Sequence, residues 1–324
     1  MSTAGRGRVA IIGAVIAGAT CARLLADAGH SVQLFDKSRG AGGRMATRRA
    51  PWLAADGLAH ESSFDHGAPG FTARSPDFVR FAQQAQRDGL LSRWAPVVAP
   101  GSYAPLDGPA LWVPTPDMPA LCRALAAGVP VRWDCTVDSL RQGPGGWSVE
   151  SAGITEIERA IDGAIESTAE GFTHVVLAVP PQQAAALLLP HNPGWAQRAQ
   201  ALAMLPCWTL MGVTNATDAS HLKGTTTLTT ATADSPSAPP WALAWPTQGP
   251  LSWIVRNDAK PGRVCTPGLA HWVAHASAPW SQTHLESPAA DVQAALQEAL
   301  AQWLGQPLTW HHAAVHRWRY ASAA

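Results

Sequence analysis

The turn Gly13-Ala14-Val15-Ile16-Ala17-Gly18, with Asp36 eighteen residues further on, is where residue type and spacing in this chain could do chemistry. Gly13 permits a tight turn and Gly18 a close helix–strand approach. The free amides at the start of the helix that follows can hold a diphosphate. A carboxylate at the offset of Asp36 can accept the hydroxyl protons of an adenosine ribose. The middle position, where bare backbone usually nears the phosphate, holds Val15. If the turn demands a positive φ there, a β-branched residue stores about 1–3 kcal/mol of strain, and each ~1.4 kcal/mol is tenfold in affinity. Beyond the acid, Lys37-Ser38-Arg39-Gly40-Ala41-Gly42-Gly43-Arg44-Met45 combines glycines with cations. Its backbone could lie flat on a bulky ligand while Lys37, Arg39 and Arg44 balance phosphate charge.

These groups need elements to place them. Arg8–Ile12 reads as a short apolar strand, 16–28 as a helix stopped by Gly29, and 31–35 as a second strand. Strand, glycine turn, helix and strand within thirty residues make a βαβ unit with parallel strands. Met118–Ala127 reads as a helix closed by Gly128. Strands are expected at Val131–Val137, Trp147–Glu150 and Thr173–Val179, the last stopped by Pro180-Pro181. The pattern then changes to tryptophan-rich strands at 208–213, 241–245, 251–256 and 269–276, with 215–240 read as a surface loop. Ser287 and Pro288 are placed at the N-cap and N1 of a helix whose apolar face runs from Val292 to Trp303 and which Gly305 stops. Thr309–Tyr320 reads as a closing strand.

The 324 residues suggest about two domains. Lys and Arg total 23, as do Asp and Glu; this neutral balance gives no basic footprint for nucleic acid. With 47% hydrophobic and 14% charged residues the chain forms cores. Cysteines 21, 122, 135, 207 and 265 form no CxxC pair, and reduced thiols in a cytoplasmic protein are expected. The apolar run Val9–Cys21 is interrupted by Gly13 and Gly18 and is too short to span a bilayer, so no membrane role is expected. His271 and His275, and likewise His312 and His316, stand four apart. On strands that spacing covers about 13 Å, too far to share one metal ion, so no metal is expected. Asp65-His66 could be an acid–base pair or a hydrogen-bonded brace for a loop. No residue is assigned as catalytic.

At this point the residues carry a family likeness. Asp36-Lys37, Gly42-Gly43-Arg44-Met45, Thr47-Arg48, Phe64-Asp65-His66-Gly67-Ala68 and Phe71-Thr72-Ala73-Arg74 resemble the renalase-type branch of the amine-oxidase-like flavoproteins. Trp112-Val113-Pro114, Met118–Leu125, Val175–Pro180 and His316–Ala321 are similar too. Three features depart from the pattern: Val15, Pro69-Gly70 where the family has Gln-Tyr, and an extra stretch at Ala54–Ser63. The family pattern also continues into a strand, a Gly-Asp motif and a helix, whereas this sequence stops at Ala324.

The resemblance implies an α/β fold with a Rossmann-like FAD-binding domain of the two-dinucleotide-binding-domain type, over 1–75 and 106–180. It implies a second, α+β substrate domain on an antiparallel sheet, over 76–105 and 181–324. Gly13, Ala14, Val15, Ile16, Ala17 and Gly18 would hold the FAD diphosphate and Asp36 the ribose. Lys37, Arg39, Gly42, Gly43, Arg44 and Met45 would flank the phosphate and ribityl region. Asp65, His66, Gly67 and Ala68 would lie near the flavin ring, and Val137 on the adenine side. The implied reaction takes hydride from a reduced nicotinamide dinucleotide or an amine and passes electrons to dioxygen. The alternative is a degenerate, non-catalytic relative that binds FAD weakly or not at all.

Overall fold

The computed structural model describes residues 7–54, 57–102, 110–151, 168–216, 241–264 and 266–324. Cys265 and nearly all of the 215–240 stretch read as a loop lie outside the described residues. The chain divides into two compact units, one made of Met1–Arg44 and Pro119–Ala203, the other of Met45–Met118 and Met204–Ala324.

The first unit holds a four-stranded parallel sheet in the order His174–Leu177, Arg8–Ile12, Ser31–Phe35, Val131–Arg132. Side chains alternate across a strand, so Val9 and Ile11 face one side while Ala10 and Ile12 face the other. Val9 and Ile11 pack with Val32 and Leu34 beneath the helix Ile16–Asp27, whose small residues Ala19 and Ala22 let it approach closely. Ala10, Ile12 and Phe35 pack with Leu140, Val149 and Phe172 of a three-stranded antiparallel sheet, Val137–Gly143, Gly146–Ser151 and Thr168–Phe172. Burial on both faces is why Arg8–Ile12 reads as an unbroken apolar run. Sequence and structure agree at both ends of this strand and of Ser31–Phe35.

Two local readings are corrected and one is extended. The strand expected over Val131–Val137 is Val131–Arg132 only: Asp134 takes a positive φ of 52°, and a new strand starts at Val137. Pro180-Pro181 ends a strand and also opens a helix, because proline at N1 loses no needed amide; helices Pro181–Leu188 and Pro193–Ala201 follow. In the second unit Pro288, and not Ser287, is the N-cap of helix Ala289–Leu304, with no side-chain cap.

The second unit is built on a five-stranded antiparallel sheet in the order Leu243–Ala244, Leu251–Arg256, Leu269–Ala276, Met204–Asn215, Trp310–Ala323. Alternation again sorts the faces. Leu210, Trp272 and Ala274 meet Val292, Leu296 and Leu300 of the helix Ala289–Leu304. Met211, Val213, Val255 and Val273 on the other face meet Ala50, Trp52 and Phe64 of the hairpin Arg48–Leu53/Ala59–Phe64. Residues 59–63 of the extra stretch thus lie in the second arm of that hairpin. This burial explains why Met45–Met118 groups with the rear sheet, where the sequence reading groups 45–75 and 106–118 with the front and 181–203 with the rear. Leu296 is wholly buried against the sheet. Leu296→Ala should cost about 2–5 kcal/mol, read as a lower urea midpoint; a loss under about 1 kcal/mol would mean this face is loosely packed.

Candidate functional site

The glycine turn forms as a cradle at the end of the parallel sheet. The Gly13 amide donates to Phe35 O at 2.7 Å, fixing the turn to the second strand. Gly18 is obligatory, since a Cβ there would collide with Gly13 O. Val15 is the residue before the helix, with φ −87° and ψ −172°, and no side chain caps the helix N-terminus. The expected backbone strain is therefore absent: a negative φ is open to valine. Its isopropyl group instead points at Gly43, where an added Cβ would collide with Val15 Cγ2 and lie 3.0 Å from Cγ1. Gly43 also has a φ of 50°, which disfavours any side chain.

Asp36 is buried at the end of Ser31–Phe35. Its Oδ2 accepts the Ala14 amide at 2.7 Å and its Oδ1 the Ser38 amide at 2.8 Å. A carboxylate has about four lone-pair sites, so each oxygen can still accept a hydroxyl. Cys135 donates its amide to Asp36 O at 2.9 Å, and Val137 packs with the cluster containing Phe35. Lys37, Arg39 and Arg44 are exposed, and Gly42 is buried. The structure thus brings together residues 13–18, 36, 42–44 and 137. These residues fit a dinucleotide: uncapped amides, two glycines at which an added Cβ would collide with a neighbour, and an acid with spare acceptor sites.

Met45 and 65–68 belong to the second unit. There Asp65 is fully buried. Its Oδ2 accepts Lys260 Nζ at 2.9 Å and Arg263 Nε and Nη2 at 2.9 and 2.7 Å, while Oδ1 accepts the Thr47 hydroxyl at 2.7 Å. Its amide donates to Asn257 Oδ1, and Asn257 Nδ2 donates to Ser63 O. Burial alone would raise the Asp65 pKa, but Lys260 and Arg263 hold it below the ordinary carboxylate value. Burial pushes Lys260 down to about 8 against the pull of Asp65. The carboxylate does not engage His66, so the two neighbours are no acid–base dyad.

His66 reaches a different set of partners. Its carbonyl accepts His275 Nε2 at 3.3 Å and Trp318 Nε1 at 3.1 Å, and its ring lies 4.8 Å from the His316 ring and 5.0 Å from that of Trp318. The four spaced histidines do sit on strands, as the sequence suggests. His275 and His316 both lie opposite Thr209, and His271 and His312 both lie opposite Val213, so they form two rows on one sheet face. His66 sits in the first row. Phe64 sits in the second, 5.9 Å from the His271 ring and 6.1 Å from the His312 ring. Lys260, Arg263, Asn257 and Thr47 escaped the sequence reading as partners of Asp65. The Lys260–Asp65 contact spans 195 residues, a separation over which no local pattern speaks.

Comparison with known proteins agrees with this picture of the fold. A model of the NAD(P)-binding Rossmann-like domain matches residues 11–85. A putative protoporphyrinogen oxidase from Exiguobacterium sp. is similar over 100% of this chain and 88% of that one, at 11% identity and a TM-score of 0.65. Cyclohexylamine oxidase from Brevibacterium oxydans is similar over 97% and 85%, at 12% identity and a TM-score of 0.61. An oxidoreductase from Methanosarcina mazei is similar over 97% and 90%, at 13% identity and a TM-score of 0.53. The chain is thus a mixed α/β protein with a Rossmann-like NAD(P)-binding domain and separate antiparallel sheets. Among the described residues no helix is long and apolar enough to cross a membrane. Cys21, Cys122, Cys135 and Cys207 are free thiols, and burial pushes Cys122 and Cys207 up to about 11.

Two expectations follow from this geometry. Gly43→Ala should lower the melting temperature, and adding Val15→Ala should recover part of the loss, with a coupling of about 1 kcal/mol or more. Additive effects in that cycle would show that the two residues do not share a volume. The second concerns acid. Burial, followed by the His316 ring, lowers His66 to about 4, and burial lowers His275 to about 4. The unfolded chain then binds more protons than the folded one between about pH 6.5 and 4. Stability should fall as pH drops through that window, on the order of 3 kcal/mol for His66 alone, and flatten with respect to these rings below it. Equal urea midpoints at pH 7 and pH 4.5 would contradict the burial of neutral rings.

Proposed function

We propose that this chain is an FAD-dependent oxidoreductase of the renalase-like kind, acting on a reduced nicotinamide dinucleotide or a related small molecule. The observation that carries the reading is the uncapped helix N-terminus at residues 15–18 beside the buried Asp36 carboxylate. The likeness to proteins described as protoporphyrinogen and cyclohexylamine oxidases supports it. Bound FAD supplies hydride acceptance and electron delivery to dioxygen.

The chain supplies position and electrostatics. Amides of Ile16, Ala17 and Gly18 bind the diphosphate, where the helix dipole favours negative charge. Asp36 orients the ribose through the acceptor sites left by Ala14 and Ser38. Residues 42–44 flank the diphosphate, held near the helix by the contact of Val15 with Gly43. In the second unit Asp65, clamped by Lys260 and Arg263, fixes the 65–68 segment. The face bearing His66, His275, His316 and Trp318 receives the substrate. The structure offers no separate acid–base dyad here among the described residues, which suits chemistry carried by a cofactor.

Ala17 is exposed in the first helical turn, so Ala17→Asp leaves the helix intact and favours its dipole while repelling a diphosphate. FAD titration should give the wild-type chain a bound flavin spectrum and Ala17→Asp about tenfold or weaker binding. Reduced nicotinamide should bleach the bound flavin without oxygen, with hydrogen peroxide released on admitting air. A colourless chain that takes up no added FAD ends this reading. FAD binding indifferent to Ala17→Asp would place the cofactor elsewhere.

A further inference from the structure

Each main-chain donor of the segment that leaves the hairpin can be followed to its acceptor. The Asp65 amide donates to Asn257 Oδ1, that of His66 to Phe64 O and that of Phe71 to Trp112 O. Pro69 has no amide hydrogen. The amides of Gly67, Ala68 and Gly70 make no hydrogen bond among the described residues. Gly67 and Ala68 are only half-buried, so both are open donors beside the fixed Asp65.

Two side chains of the five-stranded sheet set the direction of these donors. The His66 carbonyl accepts Trp318 Nε1 at 3.1 Å and His275 Nε2 at 3.3 Å. A carbonyl can only accept, so neutral His275 carries its proton on Nε2. The 66–67 peptide is planar and trans, so its N–H points opposite to its C=O. With the His66 oxygen turned onto the sheet by two donors, the Gly67 amide faces away from it. The Gly67 main chain also favours the protonated form of His275, which a carbonyl does and an amide donor does not. The Gly67 oxygen therefore lies on the same side, and the Ala68 amide is turned outward with the first.

We infer that the outward amides of Gly67 and Ala68 form a two-donor seat for a carbonyl oxygen of the substrate, with His275 and Trp318 as the positioning residues that turn it outward. This rests on the reading above for calling the ligand a substrate, and it narrows that reading. A carboxamide oxygen has two lone pairs to offer a pair of N–H groups, whereas a protonated amine has donors only. The neighbouring rings bring no charge that competes for the oxygen, since burial keeps His66 and His275 neutral, each at about 4.

A histidine is followed by glycine once in the sequence, at 66–67. A full chain labelled with 13C in its histidine carbonyls and 15N in its glycines therefore gives one correlated amide signal by NMR, that of Gly67. The probe is 1-benzyl-1,4,5,6-tetrahydronicotinamide, which has the carboxamide but no hydride to give and no diphosphate to occupy the glycine turn. It should move the Gly67 amide proton downfield and slow its exchange with solvent, with or without FAD. Benzylamine, a protonated amine, should leave the signal in place. Trp318→Phe keeps a ring but removes one donor to the His66 carbonyl, and should weaken probe binding about three- to tenfold. A Gly67 signal that ignores the probe, or that answers equally to benzylamine, overturns the inference, as does a Trp318→Phe chain that binds the probe as well as the wild type. An FAD-loaded chain with a silent Gly67 signal rejects the seat and leaves the flavin reading standing. A responding chain that takes up no FAD supports the seat and rejects the flavin reading.

Discussion

A single buried carboxylate sets the geometry of the second unit's polar face. Asp65 has no exposure to solvent, yet it is held ionised by Lys260 and Arg263. Removing one partner of such a group leaves an uncompensated buried charge, which is strongly unfavourable. The clamp therefore fixes where residues 64–66 lie. From that fixed point the strand period puts Phe64 between His271 and His312, and His66 between His275 and His316. Neither ring could hold its place if the hairpin slid by one residue, because a one-residue slip turns every side chain to the other face.

The same period explains why four histidines that look like metal pairs on paper are not pairs in space. On adjacent turns of a helix, residues four apart share a face at contact distance. On a strand they share a face at about 13 Å. The antiparallel register through Met204–Asn215 then matches each histidine of one flanking strand with one of the other, across Thr209 and Val213. Neighbours in space are thus drawn from residues about forty apart in sequence. The two rows stand about 13 Å apart along the strands, and within them Phe64 and His66 fill the space between the paired rings.

Legibility followed sequence distance. The strands Arg8–Ile12 and Ser31–Phe35 were readable to the residue and the helix between them to within one, because strand, turn and helix are local, and the apolar run and glycine positions state them directly. The antiparallel nature of the rear sheet was readable from its strands, and the end of the last long helix from Gly305. The helices that two prolines open went unread. Pro181 and Pro193 open helices, since an N1 proline gives up an amide the helix does not need. Nothing local announced that Arg48–Leu53 and Ala59–Phe64 would bury Trp52 and Phe64 on the rear sheet, nor that Lys260 would meet Asp65. Those contacts are settled by tertiary burial of apolar area and by the need to neutralise an interior charge, and both act between distant segments.

The glycine turn shows how a motif is a constraint on volume before it is a pattern of letters. By the usual pattern Val15 is a defect, and the cost assigned to it assumed a positive φ. The backbone there is extended, so valine is free of strain, and the question becomes where the isopropyl group goes. It goes against Gly43, whose own φ of 50° and missing side chain make the room. The glycine that the helix entrance lacks has its counterpart in the loop that follows the second strand. Total bulk around the cradle is thereby kept low while the loop gains an apolar contact with the helix it faces. A sequence scored position by position registers one mismatch and one ordinary loop glycine. Taken as a pair, the two residues leave the first amides of the helix uncovered, which is the property that binding a diphosphate requires.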